Sequence, residues 1–542
     1  MITNIQTPIT NYSDRNKLAK NQSFKGAEVL LQGLRFLNNS PAVGACAVDL
    51  GSMVIPRTAV DTKKRGIDAG IETGIREGSS TANHALVGVV GLGAATLASQ
   101  GINSKYGIEA NKIFANNDTI DVFGSFWKGA DKSKEYYESI LSTMEGLSGK
   151  EWKKIGDESL IKEIAEKLSN HELPKTTKKE IVAKIIKATG AESEFRIAKA
   201  VENGSVKKEV ANSVDVLVEN MASLGKAFAS KKVDKLPEFL KELKHVKTAS
   251  ALLGLATTCF IGCSIQPINT YLTKKRTGKE GFVGVEGKEA DKSQGFKLMK
   301  LGAAAAMGIF GFSQISKKPS EILNKIQFSS MLPNLNQFKM IYTMTIMSRF
   351  LSARDKNELR ESTIKDSLGF ANWLILGGMV SKLVARGIGG KELINNPIAK
   401  EGAQEAKKGL KYAWNWITKV SVKSYDQVLL KGIENADDIV KNGKLLGFKD
   451  LWKLADKASK AKVGKLAIAQ IAGYLYSGVV LGFGIAKLNI FITGKVQKAQ
   501  KAKQQATSPQ TANTAPVDAK VKFFALDSNK ISKSFSKMEE NV

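Results

Sequence analysis

The side chains that most often carry catalysis or bind metals are few in this sequence and lie far apart. The three cysteines and three histidines are Cys46, Cys259, Cys263, His84, His171 and His245. Cys259 and Cys263 share one helical face, but they lie in an apolar run where small residues serve packing. The histidines lack metal-ligand spacing, so neither a zinc site nor a disulfide framework is predicted. We expect no metal and no cofactor.

Two glycine-containing motifs resemble phosphate-binding loops without completing them. Gly91-Leu92-Gly93 follows an apolar run, as a dinucleotide fingerprint does, but Thr96 replaces its third glycine. Gly278-Lys279 lacks the upstream glycine of a P-loop. The small residues around Gly91 instead favour close packing of helices within a membrane. Because no nucleophile–base–acid set is found either, the chain is predicted not to be an enzyme.

The charge of the chain predicts an anionic partner or surface. The formal net charge is +29 and the pI is near 9.7. Only 11 of the 81 basic residues are arginine, and lysine is a hydrated point charge without the planar fork that reads bases. This balance favours an anionic lipid surface over specific recognition of nucleic acid. Lysine-rich residue usage in the source lineage is the alternative explanation.

Long uncharged apolar runs predict helices that cross a membrane. The two strongest are Thr248–Thr273 with 26 residues and Leu466–Ala486 with 21, and both reach the length that about 30 Å of hydrocarbon requires. Weaker candidates are Gly78–Ser104, Leu301–Ser316 and Ser367–Ser381. Most of these runs end in Lys or Arg, as spans do at headgroups. Burial in a large soluble bundle remains the alternative.

Two further segments receive a weaker interpretation. The apolar segment Ala42–Pro56 contains Asp49, so it is expected to lie in the interface or form half of a hairpin. The charged block Arg349–Glu361 precedes the uncharged run Ser367–Ser381, which suggests a collar at the headgroups. Arg76-Glu77 stands before another apolar run in the same way, which indicates either an internal repeat or coincidence.

A cluster of cations follows the run Thr248–Thr273 and predicts a contact with anionic lipid. Tyr271 lies at the end of the run, and the cluster comprises Lys274, Lys275, Arg276 and Lys279. An aromatic residue followed by Lys and Arg is typical of a cytoplasmic membrane boundary. We therefore expect this cluster to face the cytoplasm.

The chain is predicted to contain seven regions of different character. They are a disordered leader 1–23; an amphipathic helix and first apolar span region 24–102; a soluble helical domain 103–247; membrane helices 248–388; an amphipathic helical region 389–465; a membrane helix 466–494; and a basic flexible tail 495–542 with a short amphipathic segment at Phe523–Met538. Capped helical periodicities and no strand-like alternation are found in 103–247, including a helix over Val206–Ala229.

Two segments carry a resemblance to known proteins. Ser348–Ser381 and the basic run Tyr271–Lys279 resemble segments of uncharacterised bacterial helical membrane proteins. They cover about a tenth of the chain and carry no assigned chemistry. The resemblance therefore implies a helical membrane protein and transfers no functional residue.

Together these patterns predict an all-α fold: a multi-pass helical membrane protein with an inserted water-exposed helical domain. The expected function is that of a non-enzymatic integral membrane protein with a structural or interaction role in the bacterial cytoplasmic membrane. Its expected partners are anionic lipids and a protein that binds 103–247, with no specific nucleic acid. The alternatives are a channel or transporter, although the apolar runs offer no acidic relay, and a soluble Lys-rich protein that binds nucleic acid non-specifically.

Overall fold

The computed structural model describes most of the chain. The described residues are 29–38, 41–129, 132–152, 159–170, 173–191, 194–200, 206–283, 289–328, 333–372, 378–396, 409–441 and 444–507. The predicted leader 1–23 and the predicted amphipathic segment Phe523–Met538 lie outside these ranges. The chain divides into two compact units, Met1–Phe491 and Ile492–Val542.

Helices form most of the described structure, and residues 29–38 are helical ahead of the numbered elements. In chain order the helices are α1 Pro41–Val48, α2 Ile55–Arg65, α3 Ile67–Tyr106, α4 Asn117–Gly124, α5 Ser133–Ser148, α6 Leu160–Ser169, α7 Lys175–Thr189, α8 Val214–Phe228, α9 Leu236–Thr277, α10 Gln294–Ser313, α11 Pro319–Lys325, α12 Leu335–Leu351, α13 Lys356–Phe370, α14 Met379–Gly389, α15 Leu410–Lys419, α16 Tyr425–Lys431, α17 Phe448–Leu454, α18 Lys457–Ser477 and α19 Ile485–Thr507. The π-helices Asp49–Val54 and Gly478–Gly484 join α1 to α2 and α18 to α19. Short 3₁₀ turns occupy Ala110–Lys112, Gly390–Leu393 and Ala436–Ile439.

Within the described residues, five helices are long and apolar enough to cross a membrane, which confirms the all-α, multi-pass fold class. They are Val43–Arg65, Ile67–Tyr106, Leu236–Thr277, Gln294–Ser313 and Lys457–Lys503. The last four contain or largely overlap the runs predicted at Gly78–Ser104, Thr248–Thr273, Leu301–Ser316 and Leu466–Ala486. The span predicted at Ser367–Ser381 is not among them. There α13 ends at Phe370, α14 begins at Met379, and residues 373–377 lie outside the described ranges.

The segment Ala42–Pro56, expected in the interface or as half of a hairpin, forms part of the helical stretch Val43–Arg65, which is long and apolar enough to cross a membrane. This stretch turns at Gly66 and packs against α3, as half of a helical hairpin would, and its position relative to the interface remains a prediction. Asp49 does not interrupt the helix, since its carboxylate turns inward and accepts a hydrogen bond of 2.5 Å from the Thr81 hydroxyl of α3. His84 lies 3.5 Å from the same carboxylate. A charged residue that is buried and partnered therefore leaves the outer face of the helix apolar.

The polar side chains of the paired helices α3 and α9 face inward, whereas many large apolar ones face outward. On α3, Asn83 is buried while Val89 is 66% exposed. On α9, Thr258 is fully buried while Phe260 is 75% exposed. A helix in water places these two classes of side chain the other way round. The orientation favours lipid as the surroundings of these helices over the interior of a soluble bundle.

A separate hydrophobic core lies at the end of the α3–α9 pair. Its fully buried members all fall between Ile102 and Leu243, and they include an aromatic group of Tyr136, Phe228 and Phe239. Helices α4–α8 surround this core and supply the rest of it. We call these helices, together with the core, the helical unit. The boundaries 103–247 predicted from the sequence remain a prediction.

The expectation that this region contains no strand is wrong. Strand β1, Glu194–Ala200, pairs antiparallel with β2, Val206–Ser213, so the helix predicted over Val206–Ala229 begins only at Val214. Ile197 and Val210 oppose each other in the ladder and are both buried in the core of the helical unit. The alternation of Phe195 and Ile197 with polar neighbours is the period-2 signal that identifies the strand.

The remaining part of the main unit, after α14, packs around its own core. Two minimal antiparallel ladders are present, β3 Ile394–Asn395 with β4 Ser421–Val422, and β5 Val440–Lys441 with β6 Lys444–Leu445. Helices α14, α16 and α18 bury Ala385, Tyr425 and Val463 in this core. The region predicted as amphipathic and helical at 389–465 therefore also contains one short hairpin, β5–β6, and one two-residue ladder, β3–β4, whose strands are separated by α15.

Candidate functional site

Charged side chains that are buried or nearly so form three neighbouring sets of ion pairs between α2, α3, α12 and α13, which together we call the ion-pair network. Its members are Arg57, Asp61, Arg65, Glu72, Arg76, Glu77, Arg349, Arg354, Glu358, Glu361, Lys365 and Asp366. Burial of this many charges is costly unless each one has a partner. The geometry of the network therefore decides whether it is a structural device or a site of chemistry.

Glu77 on α3 lies at the centre of the network. Arg349 Nη2 donates to its carboxylate at 3.3 Å, and Lys365 Nζ lies 3.1 Å away. Arg76 and Arg57 follow at 3.4 and 3.7 Å. Arg349 also donates to Asp366 at 2.9 Å. One glutamate thus connects cations from α2, α3, α12 and α13.

Arg354 forms a second node, just after the end of α12. Its Nε donates to Glu358 at 2.9 Å and its Nη2 to Glu72 at 2.5 Å. The backbone N–H of Arg354 donates to the same Glu358 carboxylate at 2.7 Å. These contacts join α13 to α3. Arg354 and Glu72 are 282 positions apart in the sequence.

A third node ties the end of α2 to α13. Arg65 Nη1 donates to Glu361 at 2.9 Å, and its other terminal nitrogen contacts the second carboxylate oxygen. Such bidentate pairing uses the planar guanidinium and is not available to lysine. Five of the eleven arginines of the chain, Arg57, Arg65, Arg76, Arg349 and Arg354, belong to the network.

The interpretation of Arg349–Glu361 as a collar in the headgroups is wrong. Arg349, Arg354 and Glu358 are 2%, 6% and 1% exposed, so these groups contact protein and not headgroups. Their partners Glu72 and Glu77 lie on α3, at the start of a helix that can span the membrane. The pairing could not be read from the block itself because its partners are far away in the sequence.

The network contains little free space. The cavity lined by Arg57, Asp61, Arg65, Glu72 and Lys365 has a volume of about 20 Å³. This is room for roughly one water molecule. The described residues therefore show a compact set of ion pairs with space for little water between them. Such a set can fix the relative positions of four helices.

The lysine-rich cluster predicted to contact anionic lipid lies at the C-terminal end of α9. Lys274, Lys275, Arg276 and Lys279 are all exposed. Lys274 pairs with Glu280 at 2.6 Å, and Arg276 pairs with Asp68 at 3.2 Å. Lys275 and Lys279 make no ion pair with any residue that the structure describes. These two positions are therefore the ones available to an outside anion, and lipid contact remains a prediction.

The cysteines and histidines do not assemble into a site within the described residues. Cys46, Cys259 and Cys263 are free thiols. His84 is buried and stacks on Tyr342, with ring centroids 5.0 Å apart. No group of three or more His, Cys, Asp or Glu side chains in the described part of the chain is arranged to hold a metal ion.

Comparison with known proteins adds no functional assignment. No protein-family model, curated protein or solved structure matches the chain. The function must therefore be inferred from the residues of the chain and from their geometry.

Proposed function

We propose that this protein is a non-enzymatic integral membrane protein that holds its helical unit in a fixed position for a partner protein. The observation that supports this role is the continuity of two helices. α3 has 40 residues and α9 has 42, and both run without a break from the ion-pair network to the helical unit. At 1.5 Å per residue each is about 60 Å long, roughly twice the hydrocarbon thickness.

The two helices are tied together along their antiparallel length. Arg276 pairs with Asp68 at one end, and Lys105 pairs with Glu242 at 2.5 Å at the other. Between these ends, Asn83 Nδ2 donates to the Thr258 carbonyl oxygen at 3.1 Å. A buried hydrogen bond of this kind persists in lipid because no water competes for it.

Close backbone packing adds to this connection. A Cβ at Gly254 of α9 would lie 3.2 Å from the Cα of Gly91 on α3. Small residues at such a crossing let helices approach in lipid, where no hydrophobic effect drives them together. The ion-pair network then secures the other end of the pair against α12 and α13. The two helices thus connect the helical unit to the ion-pair network, with Pro267 as an interruption in the hydrogen-bond ladder of α9.

The surroundings we propose are the bacterial cytoplasmic membrane, with its anionic lipids near Lys275 and Lys279. These residues lie at the end of α9 opposite the helical unit, which supports a topology with the two on opposite sides of the bilayer. Cytoplasmic lipids of negative charge attract such cations by about 1 kcal/mol each. A soluble protein that binds nucleic acid is not supported by the outward apolar faces of α3 and α9.

A channel or transporter is the second candidate, and the buried charges favour it, because ionisable groups within spans often mark transport paths. The water-sized cavity beside Glu72 weighs against it. Several buried nitrogen and oxygen atoms of the network, such as Glu72 Oε2 and Arg354 Nη1, make no hydrogen bond within the described structure, yet its six cations and six carboxylates balance in charge. We therefore rank the role of holding the helical unit for a partner protein, which we call the scaffold role, above that of a channel or transporter.

The two candidates can be separated with the full-length protein in its native membrane. In one variant, a photo-reactive amino acid replaces Leu147, which is 50% exposed on the helical unit. In the control variant, it replaces Leu301, which is 58% exposed on the candidate span α10. We expect one discrete protein adduct from position 147 and only lipid adducts from position 301. Failure to form a protein adduct from Leu147, together with ion flux through vesicles containing the purified protein, would overturn the scaffold role.

A further inference from the structure

A wide cleft opens between helices of the main unit. Its volume is about 780 Å³, within the range of small-molecule sites. Its walls come from α1, α14, α15, α18, the end of α10 and the start of α12. Three of these helices, α1, α10 and α18, belong to stretches that can cross a membrane. The cleft therefore opens beside the acyl-chain region.

The charges that line this cleft all have the same sign. Four lysines contribute to the lining, and no Asp or Glu does so among the described residues: Lys317, Lys325, Lys339 and Lys382. Lys325 pairs with Glu321 at 3.3 Å, just outside the cleft. Lys317, Lys339 and Lys382 form no ion pair within the part of the chain that the structure describes. The cleft thus presents cations that lack an anion.

Two of these lysines are oriented by backbone carbonyl groups. Lys339 Nζ donates to the Gln314 carbonyl oxygen at 3.0 Å, and Lys382 Nζ donates to that of Ile417 at 2.5 Å. An ammonium group has three donors, so each retains capacity for a further acceptor. Lys382 is only 8% exposed, and its burial lowers its pKa to about 8. A nearby anion would stabilise its charged form.

The rest of the lining is largely apolar. Leu335, Val48 and Leu466 are among the side chains that form these walls. Trp414 is 45% exposed at the cleft, and Tyr474 also lines it. Aromatic side chains with a polar edge are favoured at the boundary between headgroups and acyl chains. Cations without partners, apolar walls and interfacial aromatics match an amphiphile better than a free inorganic anion.

We propose that this cleft binds one anionic phospholipid, with its phosphate contacted by Lys339 and Lys382 and its acyl chains lying against the apolar walls. This inference rests on the proposed residence in a membrane, and it does not require a protein partner. It adds a second lipid contact, distinct from Lys275 and Lys279, which lie at the C-terminal end of α9 and do not line the cleft. The lipid would occupy the space between α12, α14 and α18 and so stabilise their separation.

The test measures lipid retained by the full-length protein. The protein is reconstituted in vesicles of phosphatidylcholine with phosphatidylglycerol, extracted in mild detergent, and its bound lipid is counted by native mass spectrometry. We expect one phosphatidylglycerol per chain in preference to phosphatidylcholine. Lys339→Gln with Lys382→Gln should reduce retention about tenfold or more. Lys231→Gln with Lys232→Gln removes the same charge at two exposed positions of the helical unit, so it is the matched control and should leave this count unchanged.

Two further measurements keep the inference open to contradiction. Lys339→Gln alone alters a half-buried side chain and should reduce retention even if the Lys382 substitution impairs folding, and Lys382→Arg should preserve it. Millimolar inorganic phosphate should not displace the lipid; displacement would identify a free-anion site instead. Equal retention by the parent and the double variant, or no preference between the two lipids, would overturn the inference. None of these outcomes depends on whether position 147 forms a protein adduct.

Discussion

Arginine and lysine have different places in this protein. Only 11 of the 81 basic residues are arginine, yet arginine supplies four of the eight cations that are buried in the described structure, among them Arg57, Arg349 and Arg354. A guanidinium group can satisfy two carboxylates at once, as Arg349 does with Glu77 and Asp366. The low arginine content of the whole chain therefore makes each buried arginine informative about structure.

The ion-pair network predicts a large penalty for the removal of one partner. Arg349→Met should lower stability by about 3–5 kcal/mol, because Glu77 and Asp366 would lose a shared cation while remaining buried. The apparent unfolding temperature of the detergent-solubilised protein measures the loss. Lys275→Met, at an exposed position without an ion pair in the described structure, is the control. A change in Arg349→Met no larger than in this control would contradict a structural role for the network.

The sequence allows only part of this site to be predicted. The block Arg349–Glu361 is conspicuous, but its acidic partners on α3 are separated from it by more than 270 positions. Sequence spacing alone cannot distinguish a charged collar in water from a buried pair. Arg76, Glu77 and Glu361 all belong to the ion-pair network. This closeness in space does not show whether the segments that begin at Arg76 and at Arg349 are repeats.

At the scale of elements, the crossing of α3 and α9 at Gly254 is the most sensitive packing contact. Gly254→Leu should reduce stability by about 1–3 kcal/mol, since the new side chain meets the backbone of α3 near Gly91. Gly302→Leu on α10 is the matched control, because a Cβ there would meet nothing within 4 Å. Both substitutions favour the helix itself by removing a glycine. Equal thermal stability of the two variants in detergent would refute the close crossing.

The elements that sequence predicts well are those whose signal is continuous. Runs such as Thr248–Thr273 contain no charge, so their helices follow from length and hydropathy. The helical stretch Val43–Arg65 was missed because Asp49 interrupts its apolar pattern, and only the contact with Thr81 explains that residue. The β1–β2 hairpin was missed because its alternating segment is short and lies between strong helices.

For the whole molecule, the direction in which side chains face decides between a membrane bundle and a soluble one. The apolar runs alone permit both. The structure buries Asn83 and Thr258 and exposes Val89 and Phe260 on the same two helices. Exposure of such residues to water would leave a broad apolar surface, which soluble monomers rarely carry. The bundle is therefore described best as an assembly whose outer surface faces lipid.

The central claim is that the protein is integral to a membrane, and alkaline carbonate extraction tests it most directly. Carbonate at high pH opens membrane vesicles and releases proteins held only by charge, which matters for a chain of net charge +29. The fraction of full-length protein that remains in the membrane pellet is measured beside a peripheral protein as control. Retention of the protein with release of the control is the predicted result. Release of both into the supernatant would contradict the membrane account.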